Sequence, residues 1–189
     1  MKMRAVFLDR DGVLNKSNGR PPNTPEELDL LPRVAEAISK LKEADFLIFV
    51  VTNQGGVGLG YMTKKALDEI HNRLILEVES GGGVIDEIKA CIHKPRAGCM
   101  CRKPKPGMIF ELAKKYNVDL SKSYMIGDRE PDIDAGEAAN LKTIFIGTKL
   151  DAPKNADHVE RDLWEATKWI LEQSYDETKL SEHLNYLEE

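Results

Sequence analysis

Two short apolar runs end in acidic residues. Residues 4–8 lead into Asp9-Arg10-Asp11-Gly12, and residues 123–126 lead into Gly127-Asp128-Arg129-Glu130-Pro131-Asp132. Carboxylates at i and i+2, the first on a strand end and the second where the chain turns, can face one point. Such a pair suits a divalent cation, or a division of labour in which one carboxylate is a nucleophile and the other carries a proton. The Asp-Gly step equally suits a tight turn with side-chain capping. Asp128 can complete a metal site begun by Asp9, and Asp132 can hold the loop behind it. Asp134 reads as a first-turn helix residue favoured by the dipole.

A third run, residues 46–51, ends in Thr52-Asn53-Gln54-Gly55. A hydroxyl, two amides and exposed backbone N–H groups can hold phosphate oxygens, or serve a polar loop that caps a helix. The glycines over 55–60 form neither nucleotide motif. Tyr61 and Met62 stand where a Walker loop needs Lys and Ser or Thr, and Gly56 and Gly58 are not followed by Gly at 61. Arg102-Lys103-Pro104-Lys105-Pro106 concentrates positive charge ahead of a helix, either to neutralise a phosphoryl group or as a solvated basic loop. Taken together these strand ends point to Mg²⁺-assisted phosphoryl transfer through an aspartyl phosphate. A phosphate dianion repels a carboxylate nucleophile, and the metal and the lysine would cancel that repulsion.

The elements that must position these groups follow from apolar spacing. Strands are expected over 4–8, 46–51, 87–92, 123–126 and 143–146. Helices are expected over 33–44, 63–79, 107–116, 132–140 and about 160–172, and residues 16–32, with four prolines, read as a loop. Continuous apolar strands alternating with helices give an α/β fold: a three-layer, doubly wound parallel sheet covered on both faces. In such sheets ligands sit outside the carboxyl ends of the strands. One domain over residues 1–172 is expected, with 173–189 a polar C-terminal tail able to form a further helix.

The chain has 189 residues, 41% hydrophobic and 31% charged, which suits a single globular core. No apolar run approaches the ~18–20 residues of a membrane span, and the apolar start is too short for a signal peptide. A net charge of −5 argues against a broad nucleic-acid surface. The three cysteines all lie between positions 91 and 101, an odd number that argues against paired disulfides and for one local job in a cytoplasmic protein.

Asp9-x-Asp11-Gly-Val-Leu-Asn15, Thr52-Asn53-Gln54, Arg102-Lys103-Pro104 and Gly127-Asp128-x-x-x-Asp132 resemble, in order, the four motifs of haloacid-dehalogenase-like (HAD-like) phosphatases. Cys91-x-His93-x₅-Cys99-x-Cys101, directly before Arg102, is similar to the branch that holds histidinol-phosphate and heptose-bisphosphate phosphatases. Three Cys and one His suit a closed, structural tetrahedral zinc. The resemblance implies Asp9 as nucleophile and Asp11 as general acid and then base. It implies Mg²⁺ held by Asp9, the Asp11 carbonyl and Asp128, and the phosphoryl group bound by Thr52 and Lys103. Ser17, Asn18, Gly19, Arg20, Asn53, Gln54, Gly55, Arg102 and Arg129 would contact substrate. No large cap domain is implied; the zinc-clipped loop and residues 16–25 would wall the pocket.

The segment from Thr52 to Thr63 most resembles D-glycero-D-manno-heptose 1,7-bisphosphate 7-phosphatases, so a small phosphorylated metabolite of that kind is the expected substrate. Residues 17–24 lack the Gly-Tyr-Val-His type of segment associated with those enzymes. Histidinol phosphate and a nucleic-acid 3′-phosphate are the alternative substrates. A zinc knuckle without catalysis is the alternative from another class, but residues 91–106 lack the aromatic residues that stack on bases. A monomer is expected, with a dimer left open, and neither nucleic acid nor membrane is expected as a partner.

Overall fold

The computed structural model describes residues 2–17 and 19–174. Its six strands are β1 (Arg4–Leu8), β2 (Phe46–Asn53), β3 (Glu87–Cys91), β4 (Tyr124–Gly127), β5 (Lys142–Ile146) and β6 (His158–Glu160). They form one sheet in the order β3-β2-β1-β4-β5-β6, with every pairing parallel. The helices are α1 (Val34–Glu43), the four-residue α2 (Gly55–Gly58), α3 (Lys64–Ser80), α4 (Gly107–Tyr116), α5 (Glu130–Ala138) and α6 over 163–174.

Strand alternation divides the interior into two cores. Val6, Leu8, Ile48, Val50 and Ile126 face one side, where they pack with Val34, Ile38, Leu67, Ile70, Leu163 and Ile170 of α1, α3 and α6. Phe7, Phe49, Val51 and Met125 face the other, against Met108, Leu112 and Ala135 of α4 and α5. Each helix buries the stripe its spacing dictates, as in Leu67, Ile70, Leu74 and Val78 of α3. Thr63 caps that helix by accepting from the Ala66 amide at 3.0 Å.

Three local expectations are corrected. β6 was not expected, because His158-Val159-Glu160 is short, half-buried and without an apolar run. The last helix starts at 163 rather than near 160 and runs through 174; the rest of the expected tail, 175–189, lies outside the described residues. β3 is an edge strand rather than a fully covered one. Its Glu87 and Lys89 are half-buried and pair with Lys115 and Glu111 of α4.

Gly136 lets α5 lie directly on β4 and β5. A Cβ there would stand 2.7 Å from Met125 Cβ and 2.7 Å from Thr143 Cγ2. Gly136→Val is therefore expected to cost about 1–3 kcal/mol by overpacking, read as a lower urea midpoint at unchanged slope. An unchanged midpoint would refute this account of the α5 contact.

Candidate active site

The strand order reverses between β1 and β4, and the polar ends of β1, β2 and β4 meet in the crevice there. Asp9 follows β1 immediately, its amide still bonded to the Ile126 carbonyl of β4 at 2.9 Å. Lys103 comes in from the loop before α4 and is 4% exposed. Its ammonium donates to Asp9 Oδ1 at 2.7 Å and to the Val51 carbonyl at 2.6 Å, and pairs with Asp132 Oδ1 at 2.6 Å. An ammonium has three donors, so all are engaged.

The carboxylates crowd one another. Single oxygens of Asp9, Asp128 and Asp132 lie within 4.8 Å of one another. Burial pushes the Asp9 carboxyl up to about 7; Lys103 opposes the rise, and Asp132 and Asp11 add to it. Burial, with Asp132 beside it, raises Asp128 to about 6. Burial would depress the Lys103 ammonium, but Asp9 and Asp132 outweigh it and the net direction is up. Three carboxylates against one ammonium leave a formal charge of −2, and Asp128 Oδ1 is buried without a hydrogen-bond partner. That donor set fits a hard divalent cation. Gly12 makes the approach possible: its φ is +95°, and a Cβ would lie 2.1 Å from Asp128 Oδ2.

Asp11 is held by its neighbours. Arg10 donates to it through Nε and Nη2, Asn15 Nδ2 at 3.1 Å and Gln54 Nε2 at 2.8 Å. Gln54 Nε2 also reaches Thr52 Oγ1 at 2.8 Å. Asn53 clamps the backbone of Lys103 from both sides, donating to its carbonyl and accepting from its amide, each at 3.0 Å.

The cavity above these groups is about 360 Å³. Asp9, Asp11, Thr52, Asn53 and Lys103 line it, as do Ser17, Gly19, Arg20, Arg102 and Arg129. Asn18 lies outside the described residues. Gln54, Gly55 and Asp128 sit behind the lining: Gln54 supports Asp11 and Thr52, and the buried Gly55 opens the four-residue α2, which the sequence suggests as loop. Arg20 is tied to Glu27 through two bonds of 2.7 and 3.0 Å, whereas Arg102 Nη1 is buried without a partner.

Sequence reasoning placed Asp132 behind the site, but it shares the lysine with Asp9. Arg10 and His71 carry no expected role, and Asn15, part of the first motif, carries no expected bond to Asp11. The available signal was His71, which falls on the inward stripe of α3 between Leu67 and Leu74.

Beside the crevice, the side chains of Cys91, His93, Cys99 and Cys101 converge. Sγ of Cys91 and Cys101 are 3.3 Å apart, those of Cys91 and Cys99 3.7 Å, and His93 Nδ1 lies 3.2 Å from Cys101 Sγ. These separations are far beyond a disulfide and close to the ~3.8 Å sulfur–sulfur edge of a tetrahedron with ~2.3 Å zinc–sulfur bonds. The donor set therefore fits zinc. The loop is packed in from the other side by α2, where a Cβ on Gly58 would meet Lys94 N at 2.5 Å and the Ile92 carbonyl at 2.6 Å.

A family model for HAD-hydrolase-like proteins matches residues 100–167. The chain is 38% identical over 146 residues to the D-glycero-beta-D-manno-heptose-1,7-bisphosphate 7-phosphatase of Bordetella bronchiseptica, 77% of this chain and 82% of that one. A probable enzyme of the same kind from Thermoplasma volcanium is 36% identical over 76% of this chain and 97% of its own. Among solved structures, the D,D-heptose 1,7-bisphosphate phosphatase of B. bronchiseptica complexed with magnesium and phosphate superposes with a TM-score of 0.84. It is 32% identical, with 90% of this chain and 99% of that chain covered. Likeness of this extent, on a fold that gathers the same four motifs into one crevice, makes the chain a member of the HAD-like hydrolases, in the family of the heptose-bisphosphate phosphatases.

Proposed function

We propose that the protein is a Mg²⁺-dependent phosphomonoesterase that removes the 7-phosphate of D-glycero-D-manno-heptose 1,7-bisphosphate. The observation that carries this reading is Asp9, buried at a strand end with Lys103 on one oxygen and the unpartnered Asp128 oxygen nearby. The relatives named for this activity support the substrate.

Asp9, Asp128 and the Asp11 carbonyl would hold Mg²⁺, whose chemistry when bound is to neutralise the attacking carboxylate and the phosphoryl oxygens. Lys103 and the Thr52 hydroxyl would bind the transferring phosphoryl group. Asp9 attacks phosphorus, and Asp11 gives a proton to the departing alkoxide. Asp11 then takes a proton from the water that releases phosphate from Asp9. Arg102, with its open N–H, would meet the remaining anionic group of the substrate, with Arg129, Ser17, Gly19 and Arg20 along the wall. Gln54 and Gly55 support this lining from behind, and Asn53, itself part of the lining, holds the Lys103 backbone. Cys91, His93, Cys99 and Cys101 would hold a structural zinc that fixes the loop carrying Arg102 and Lys103.

The site lies within one domain over residues 1–172. The reading further makes the protein a cytoplasmic monomer that takes neither nucleic acid nor membrane as partner. Among the described residues no helix is long and apolar enough to cross a membrane.

Phosphate release across a panel of heptose 1,7-bisphosphate anomers, histidinol phosphate, fructose 1,6-bisphosphate and a 3′-phosphorylated oligonucleotide tests the substrate. The highest kcat/KM is expected on a heptose bisphosphate, and Asp9→Asn is expected to lower kcat at least about 10³-fold with an unchanged circular-dichroism spectrum. A preference for histidinol phosphate or for DNA ends would replace the substrate assignment, and near-normal turnover by Asp9→Asn would remove the nucleophile.

Magnesium affinity is expected to depend on pH. In the metal-free protein Asp9 takes up a proton as pH falls through about 7, and the cation needs the carboxylate. Apparent affinity should therefore weaken below that pH, approaching about tenfold per unit. Calorimetric titration of Mg²⁺ at pH 6, 7 and 8 reads it, and equal affinities would contradict it.

Metal analysis is expected to find one zinc per chain. Cys99→Ser should lower both the melting temperature and kcat, since one loop carries three of the four candidate zinc ligands and Lys103. A variant that lost zinc yet kept both would separate the loop from the active site.

A further inference from the structure

Arg10, between the two motif aspartates, heads the fully buried side chains, at 0% exposure. A buried guanidinium is tolerated only when its charge is paired and its N–H groups are used. Nε donates to Asp11 Oδ1 at 3.1 Å, and Nη2 to Oδ1 and Oδ2 at 3.0 and 2.9 Å. The opposite edge, Nη1, stands 3.3 Å from Nε2 of His71, 61 residues away on α3. A guanidinium only donates, so Nε2 must accept and the imidazole carries its proton on Nδ1. Burial first, and Arg10 second, push His71 down to about 4, consistent with a neutral acceptor. A carboxylate at this place would compete with Asp11 for the cation, whereas a neutral ring satisfies Nη1 and leaves the charge to Asp11. Neither Arg10 nor His71 lines the cavity.

We propose that Arg10 and His71 are positioning residues of the reaction: Arg10 fixes the carboxylate of Asp11 for proton transfer, and His71 fixes Arg10. This rests on the phosphatase reading above. In the first step the Asp9 oxygen bonds to phosphorus, the ester P–O bond breaks and the departing alkoxide takes the proton of Asp11. In the second, Asp11 takes a proton from water, the water oxygen bonds to phosphorus, and the bond to Asp9 breaks to release phosphate. Both steps require the Asp11 oxygens in one place, and a misplacement of about 1 Å can cost about 10²-fold in rate.

The test compares His71→Leu, which keeps bulk but loses the acceptor, with His71→Gln, whose amide oxygen can still accept from Arg10. On heptose 1,7-bisphosphate, His71→Leu is expected to lose about 10²-fold in kcat at unchanged KM, and His71→Gln to recover most of it. On p-nitrophenyl phosphate, whose phenolate leaves without a proton, His71→Leu should retain the rate of the first p-nitrophenolate equivalent and slow only the turnovers after it. Equal losses in the two variants, or a loss carried by KM, would overturn the proposal; His71→Met takes the place of His71→Leu if the latter fails to fold. Asp9→Asn is run beside them: if it keeps turning over, the phosphatase reading fails, whereas an inactive Asp9→Asn with a fully active His71→Leu defeats this proposal alone.

Discussion

The ammonium of Lys103 is the point on which the site depends. It is buried, and its three bonds run to three elements: the Val51 carbonyl of β2, Asp9 after β1 and Asp132 of α5. A charged amine would not stay in that interior without such partners, and the carboxylates would not stay together without the amine. Each side of the arrangement therefore makes the other tolerable. The parallel register of β1 with β2 and β4 brings the ends of these strands, with α5 following β4, to one level, so the geometry of the sheet fixes where these groups meet at its carboxyl end.

The balance at that point is left incomplete in a specific way. The ammonium takes one oxygen of Asp9 and one of Asp132, while Asp128 keeps a buried oxygen unused. The direction of the carboxyl shifts agrees, since burial and mutual repulsion raise both Asp9 and Asp128. A site built only for stability would pair these charges or replace them with apolar groups. Retaining the excess is sensible where a divalent cation and a phosphate dianion must be brought together with a carboxylate nucleophile.

The sequence shows much of this because strand ends concentrate the signal. Asp9, Asp11, Thr52 and Asp128 stand at or just beyond the ends of apolar runs, Lys103 lies in a short basic, proline-flanked stretch, and the continuous runs of β1, β2, β4 and β5 identify a covered parallel sheet. The features that stay hidden are those decided by distant packing. Nothing local tells that Arg10 turns inward, that Asn53 spends its amide on the Lys103 backbone, or that His71 reaches across 61 residues. β6 is hidden for another reason: three half-buried residues gain their order from the neighbouring β5 and carry little preference of their own.

The walls of the cavity show how a pocket forms without a large cap. Residues 92–106 run from β3 to α4 without a helix or strand of their own, and most of them are exposed. Such a segment buries too little apolar surface to hold one conformation by packing alone. It is restrained instead from three sides: by the Cys91, His93, Cys99 and Cys101 cluster, by the Asn53 clamp on Lys103, and by the close approach of Gly58. The facing wall is held by the paired bonds of Arg20 to Glu27, which occupy that cation. Arg102 keeps a buried donor unpaired on the side of the cysteine-rich loop. The loop that carries the Cys/His cluster thus places both an unpaired Arg102 donor on the cavity wall and the Lys103 ammonium against Asp9.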